Sequence, residues 1–120
     1  MASQTNTHIR TGQHGESTAA RHLQQSGYVI LQRNYRYKRA EVDIIAQKDG
    51  LLVFVEVKTR ATDVYGYPEE AVSPRKEELL LTAATAYIEQ QDWQYDVRFD
   101  IISVTLSTPP VIHHIEDAFH

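Results

Sequence analysis

Three residues near the middle of the chain have the types and spacing that phosphodiester chemistry uses. Glu56 and Lys58 stand two apart at the end of "LLVFVEVKTR", and Asp43 precedes them in "AEVDIIAQ". A carboxylate from each segment, with the main-chain carbonyl of Val57 and water, makes the hard-oxygen set that Mg²⁺ or Mn²⁺ takes. A cation so held polarises a phosphodiester and helps ionise an attacking water. An adjacent lysine then stabilises developing negative charge or assists deprotonation. The same charges could instead be the wet face of an ordinary strand, because Glu-x-Lys is a common strand pattern. Spacing alone leaves both readings open.

Whether these side chains converge depends on the elements that carry them. "YVILQRNYRY", "AEVDIIAQ" and "LLVFVEVKTR" are rich in β-branched and aromatic residues and read as three strands. Asp49-Gly50 between the second and third is a strong hairpin signal, which makes those two strands antiparallel neighbours. Alternation puts Val53, Val55 and Val57 on one face of the third strand and Phe54, Glu56 and Lys58 on the other. In the second strand Glu41 and Asp43 share a face, opposite Val42, Ile44 and Ala46. Counting outward from the turn brings Asp43 level with Val55 to Val57, so Asp43 and Glu56 can meet at one point with Lys58 beside them.

Two helices frame this hairpin. "GESTAARHLQQS" has Ala19, Ala20 and Leu23 at helical spacing and Gly27 as a stop. Ser73-Pro74 opens the second, with a good N-cap and a proline tolerated in the first turn, and Leu80, Ala83, Ala84 and Tyr87 at core spacing. Each helix carries a charge on its apolar stripe: Glu16 with Ala20 and Leu23, and Lys76 with Leu80, Ala83 and Tyr87. Such a charge often snorkels to solvent, yet both reach toward the polar end of the sheet. Residues 61 to 72 read as a loop, "DVRFDIISVTL" as a fourth strand and "VIHHI" as an edge strand; His113 and His114, facing opposite ways, are expected to be structural. The order αβββαβ(β) predicts an α/β (α+β) fold, a mixed sheet of four to five strands flanked by helices. Residues 1 to 11 are assigned to a flexible polar arm and 12 to 120 to one domain.

Composition narrows the function classes. The 120 residues are 42% apolar and 23% charged, with no cysteine, which excludes disulfides, thiolate metal sites and a cysteine nucleophile. No apolar run approaches the ~20 residues of a membrane span, and a cytoplasmic location is expected. The net charge of −4 argues against a generic nucleic-acid coat protein. Basic residues cluster locally, however: Arg33, Arg36, Lys38 and Arg39 interleave with Tyr35 and Tyr37 in "RNYRYKRA".

"EVDIIAQKDGLLVFVEVKTR" resembles the core of the PD-(D/E)XK nuclease superfamily. "GQHGESTAARHLQQSGYVILQRNYR", "EVDIIA", "FVEVKTR", "YGYPEEAVSPRK" and "RFDIISV", in that order, resemble the UPF0102 (YraN-like) family from about residue 12 to 119. The resemblance implies a restriction-endonuclease-like fold akin to archaeal Holliday junction resolvases. Asp43 and Glu56 would then ligate Mg²⁺ (or Mn²⁺), Lys58 would be the catalytic lysine, and Glu16 an additional or water-mediated ligand. Arg60 and Lys76 would contact phosphate, and DNA would be the partner, bound by a possible homodimer. The function implied is an endonuclease acting on branched or structured DNA in repair or recombination. A catalytically silent module that binds nucleic acid or protein is the competing expectation.

Overall fold

The computed structural model describes residues 4–61 and 73–119, with side chains from residue 12 onward; the loop expected over 61 to 72 falls almost wholly outside these residues. Among the described residues two helices and five strands follow in the order α1 (Gln4–Gln25), β1 (Val29–Tyr37), β2 (Ala40–Lys48), β3 (Leu51–Arg60), α2 (Pro74–Gln91), β4 (Asp96–Thr105) and β5 (Val111–Ile115). They build one mixed sheet in sequential order, β1-β2-β3-β4-β5. All neighbours are antiparallel except β3 and β4, which run parallel and are joined through α2. This is the helix-flanked mixed sheet that the sequence predicts.

Each face of the sheet has its own core. On one side Ala19, Ala20 and Leu23 of α1 pack against Ile44, Ala46, Val53, Val55, Ile102 and Val104. On the other, Leu80, Ala83, Ala84 and Tyr87 of α2 pack against Val42, Ile45, Leu52 and Phe54. Full burial of a side chain such as Leu23 or Phe54 contributes roughly 2 to 3 kcal/mol, so the two helices hold the sheet from both sides. Ser73 caps α2 as expected, its hydroxyl accepting from Lys76 N–H at 3.2 Å.

Three local differences from the sequence reading matter. α1 begins at Gln4, within the stretch assigned to a polar arm. No proline interrupts residues 4 to 15, and a mid-helix glycine such as Gly12 costs only about 1 kcal/mol, so the helix continues through it. Second, Val42 does not share a face with Ile44 and Ala46: it packs on the α2 side with Ile45. Alternation breaks at Asp43. The pairs Arg33↔Ile44 and Tyr35↔Val42 bracket Asn34 on β1, whose φ of 52° twists the edge strand there. Third, the β2–β3 ladder extends from Lys48↔Leu51 only as far as Ile44↔Val55. Beyond that pair the two strands leave a gap.

Candidate functional site

The gap between β2 and β3 is where the chemistry collects. Asp43 lies one residue past the last ladder pair on β2, and its Oδ2 accepts from Val57 N–H at 2.8 Å. A side-chain oxygen thus takes the backbone donor that a regular ladder would have given to β2. The Val57 carbonyl leaves the strand on the same side as its N–H, so it faces the same gap. Glu56, one residue earlier, points to the α2 side and is buried at 7% exposure. There Lys76 Nζ, reaching down from the first turn of α2, donates to Glu56 Oε1 at 2.8 Å.

The charges in this gap do not balance. Burial, and then the neighbouring Glu56 carboxylate, push the Asp43 carboxyl up to about 8. Glu16 adds to that rise, while the Val57 N–H and Lys76 work against it. For Lys76 burial favours the neutral amine, but the hydrogen bond and charge of Glu56 outweigh it and raise the ammonium above its ordinary value. Glu56 Oε2 is buried with no hydrogen-bond partner, although buried carboxylate oxygens are normally satisfied. Lys76 thus pairs with Glu56 through one oxygen, leaves the other unmet, and meets Asp43 only through its charge. That donor set fits a small divalent cation, which prefers hard oxygens and would compensate both carboxylates. Among the described residues no three Asp, Glu or His side chains group as a ligand set. Asp43 and Glu56 would hold the ion, with the Val57 carbonyl and water as further donors.

Glu16 stands close enough for its charge to act on Asp43, but its own oxygens have other partners. Asn34 Nδ2 donates to both of them, at 3.0 and 3.2 Å, and Arg33 lies at 3.5 Å. Gly15 explains how α1 comes so near: a Cβ at that position would run into the side chain of Thr59 on β3. Asn34, which holds Glu16, was missed by sequence reasoning, and Arg33 was named only as one of the basic cluster. The available signal was an asparagine inside a strand pattern, a residue that tolerates positive φ and marks an irregular edge.

The remaining candidates spread around the same end of the sheet. Lys58 follows Glu56 on the same strand face and is half-buried, as is Arg60 at the strand end. Arg36, Lys38 and Arg39 sit at the β1–β2 hairpin tip, which antiparallel pairing places at the end of the sheet where β3 finishes. Arg36 pairs with Glu41 at 2.9 Å, and Lys38 lies over the Tyr37 ring at 5.3 Å. All three are exposed, unlike the pair in the gap. A groove of about 350 Å³ lined by Tyr37, Leu81, Thr82, Thr85, Ala86 and Glu89 runs along α2 and includes none of Asp43, Glu56 or Glu16. Among the described residues no helix is long and apolar enough to cross a membrane.

Comparison with known proteins identifies relatives over nearly the whole chain. A family profile described as uncharacterised protein family UPF0102 matches residues 15–104, which include Glu16, Asp43, Glu56, Lys58 and Lys76. A UPF0102 protein of Flavobacterium johnsoniae is 46% identical over 118 residues, covering 94% of this chain and 96% of its own length. One from Syntrophus aciditrophicus is 42% identical over 113 residues, covering 92% and 89%. Another from Persephonella marina is 41% identical over 109 residues, covering 90% and 91%.

Proposed function

The chain belongs to the UPF0102 family, and on that premise we propose that it is a divalent-cation-dependent endonuclease hydrolysing phosphodiester bonds in nucleic acid. Branched or structured DNA is the substrate class, and repair or recombination the setting. One observation carries the reading: the buried Glu56, beside Asp43 on the adjacent strand, takes the Lys76 ammonium on one oxygen and leaves Oε2 without a partner. Carboxylates serving the fold alone would be paired to completion.

When bound, Mg²⁺ or Mn²⁺ supplies polarisation of the scissile phosphate and acidifies water beside it. The chain's own part is positioning. Asp43 and Glu56 hold the ion from two strands of a rigid sheet, and the Val57 carbonyl adds a hard donor from the same gap. Lys58, two residues beyond Glu56 on its face, meets the negative charge that develops on the phosphate. Arg60 and Lys76 flank that position. Arg36, Lys38 and Arg39 at the hairpin tip contact the sugar–phosphate backbone farther out. A homodimer would place two such sites on two arms of a junction.

Cleavage of labelled four-way junction, flap and single-stranded substrates, with Mg²⁺ or Mn²⁺ against chelator, tests this. Glu56→Gln and Asp43→Asn are expected to lower the rate at least about 100-fold while the protein stays folded. Activity that survives Glu56→Ala excludes this site as its source. Salt-sensitive DNA binding that needs Arg36, Lys38 and Arg39, with no cleavage by any form, would instead favour the silent binding module.

A further inference from the structure

We infer that Lys76 is an exchangeable internal counter-ion: it holds Glu56 when no divalent cation is bound, and transfers to a substrate phosphate when one is. This rests on reading the Asp43–Glu56 pair as the cation site. The first support is placement. Lys76 is three residues past the N-cap Ser73, and a cation in the first turn of a helix opposes the helix dipole. Helix stability does not call for a lysine there; the carboxylates across from it do. Its ammonium is within range of Glu56, Asp43 and Glu41, and contacts Glu56 Oε1 at 2.8 Å.

The second support is asymmetry of exposure. The Lys76 side chain is 50% exposed, whereas that of Glu56 is 8%. The carboxylate is fixed in the sheet and the lysine reaches it from solvent, so the lysine is the partner that can leave. Charge count gives the reason to leave. One ammonium sits on Glu56 alone, but a divalent cation held between Glu56 and Asp43 offsets both groups once both are ionised. With both positive groups at the pair, an ammonium and a doubly charged ion would sit on one small carboxylate and repel each other. Lys76 must then swing outward. From the first turn of α2, on the side where Lys58 and Arg60 finish β3, the anion it meets is the phosphate that the ion attracts. Lys76 thereby acts as a positioning residue that links cation occupancy to the grip on nucleic acid.

Mn²⁺ binding in the absence of nucleic acid, followed by electron paramagnetic resonance or calorimetry, tests this without reading activity. Lys76→Met is expected to bind Mn²⁺ about tenfold more tightly than wild type, because the competitor is gone. Lys76→Gln should do the same, and Glu56→Gln should lose the binding. A purely structural lysine would weaken the site or leave it unchanged on removal, so a gain is specific to competition. If neither Lys76 variant binds Mn²⁺ more tightly than wild type, the counter-ion role is overturned and the endonuclease reading still stands. If wild type binds no Mn²⁺ at all, the cation site itself falls, and the counter-ion role with it. Circular dichroism melts confirm that the variants compared are folded.

Discussion

Two acidic centres lie back to back on this sheet. Glu56 pairs in register with Ile101, and Asp100 with Val55, so the carboxylates stand one step apart on opposite faces. Asp100 is fully buried and completely met. It accepts from Arg98 through two nitrogens at 2.8 Å each, from His114 Nε2 at 2.7 Å and from Asp117 N–H at 3.0 Å. Burial alone would raise its pKa, but the bonds from His114 and Arg98 and from the Asp117 N–H outweigh burial and hold it below the usual value. Asp43, on the other hand, is pushed up to about 8, and Glu56 keeps an orphan oxygen. One sheet thus stabilises one carboxylate to the full and leaves two others short. The difference separates a buried charge that locks strands β4 and β5 together from a pair left short of partners.

The sharpest way to break that comparison is to remove one carboxylate from each side and compare the signs. Asp100→Ala leaves the Arg98 guanidinium and His114 without their shared partner in the interior. It should cost about 3 to 5 kcal/mol of stability, read as a lower urea midpoint at unchanged slope. If Asp100→Ala is neutral, the contrast between the two centres fails.

Asp43→Asn should move stability the opposite way, by less, and only above a defined pH. The folded-state value of about 8 lies above the ordinary 3.8, so the native chain keeps a proton that the unfolded chain releases. Stability of the wild type in chelator therefore falls as pH rises from about 4 through 8. Asparagine has no such proton to lose. The variant should be more stable than wild type at pH 8 by on the order of 2 kcal/mol, with no gain at pH 4. The figure stays modest because the amide also gives up a charged acceptor for Val57 N–H and the attraction of Lys76. Denaturation in chelator at the two pH values measures it. A penalty at pH 8 would mean that Asp43 is already satisfied.

Only the Asp43–Glu56 half of this contrast was legible in the sequence, and the missing part has a physical reason. Asp49-Gly50 set the antiparallel hairpin, and hairpin counting then placed Asp43 near the level of Val55 to Val57, because local turn chemistry sets register. The ladder runs as far as Ile44↔Val55, one residue short of Asp43. Ser73-Pro74 located the start of α2 for the same local reason. The alternation rule failed at Val42, where the twist at Asn34 on the neighbouring strand overrides the period of two. Long-range partners were invisible. Lys76 stood out as a charge on an apolar stripe, but nothing in its neighbours names Glu56. Arg98 and Asp100 share a strand face two residues apart, a visible pattern, yet His114 reaches them only through the β4–β5 pairing. His114 was expected to be structural, and its bond to a buried carboxylate gives that expectation its mechanism.

The smallest predicted effect tests the outer end of the satisfied centre. Asp100 can only accept, so His114 Nε2 carries the proton between them, and His114 Nδ1 is left to accept from His22 Nε2 at 3.1 Å. Burial, and then the charge of His114, lower the pKa of His22. Because the folded value lies below the unfolded 6.5, this contribution is complete above pH 6.5 and is lost as pH falls through the folded value. Solvent screening at this half-buried ring keeps it small. An NMR titration should place His22 below 6.5 in wild type, and Asp100→Asn should move it, since Asp100 no longer fixes the tautomer of His114. An unchanged His22 titration in that variant would show that the network ends at His114 and does not extend to α1.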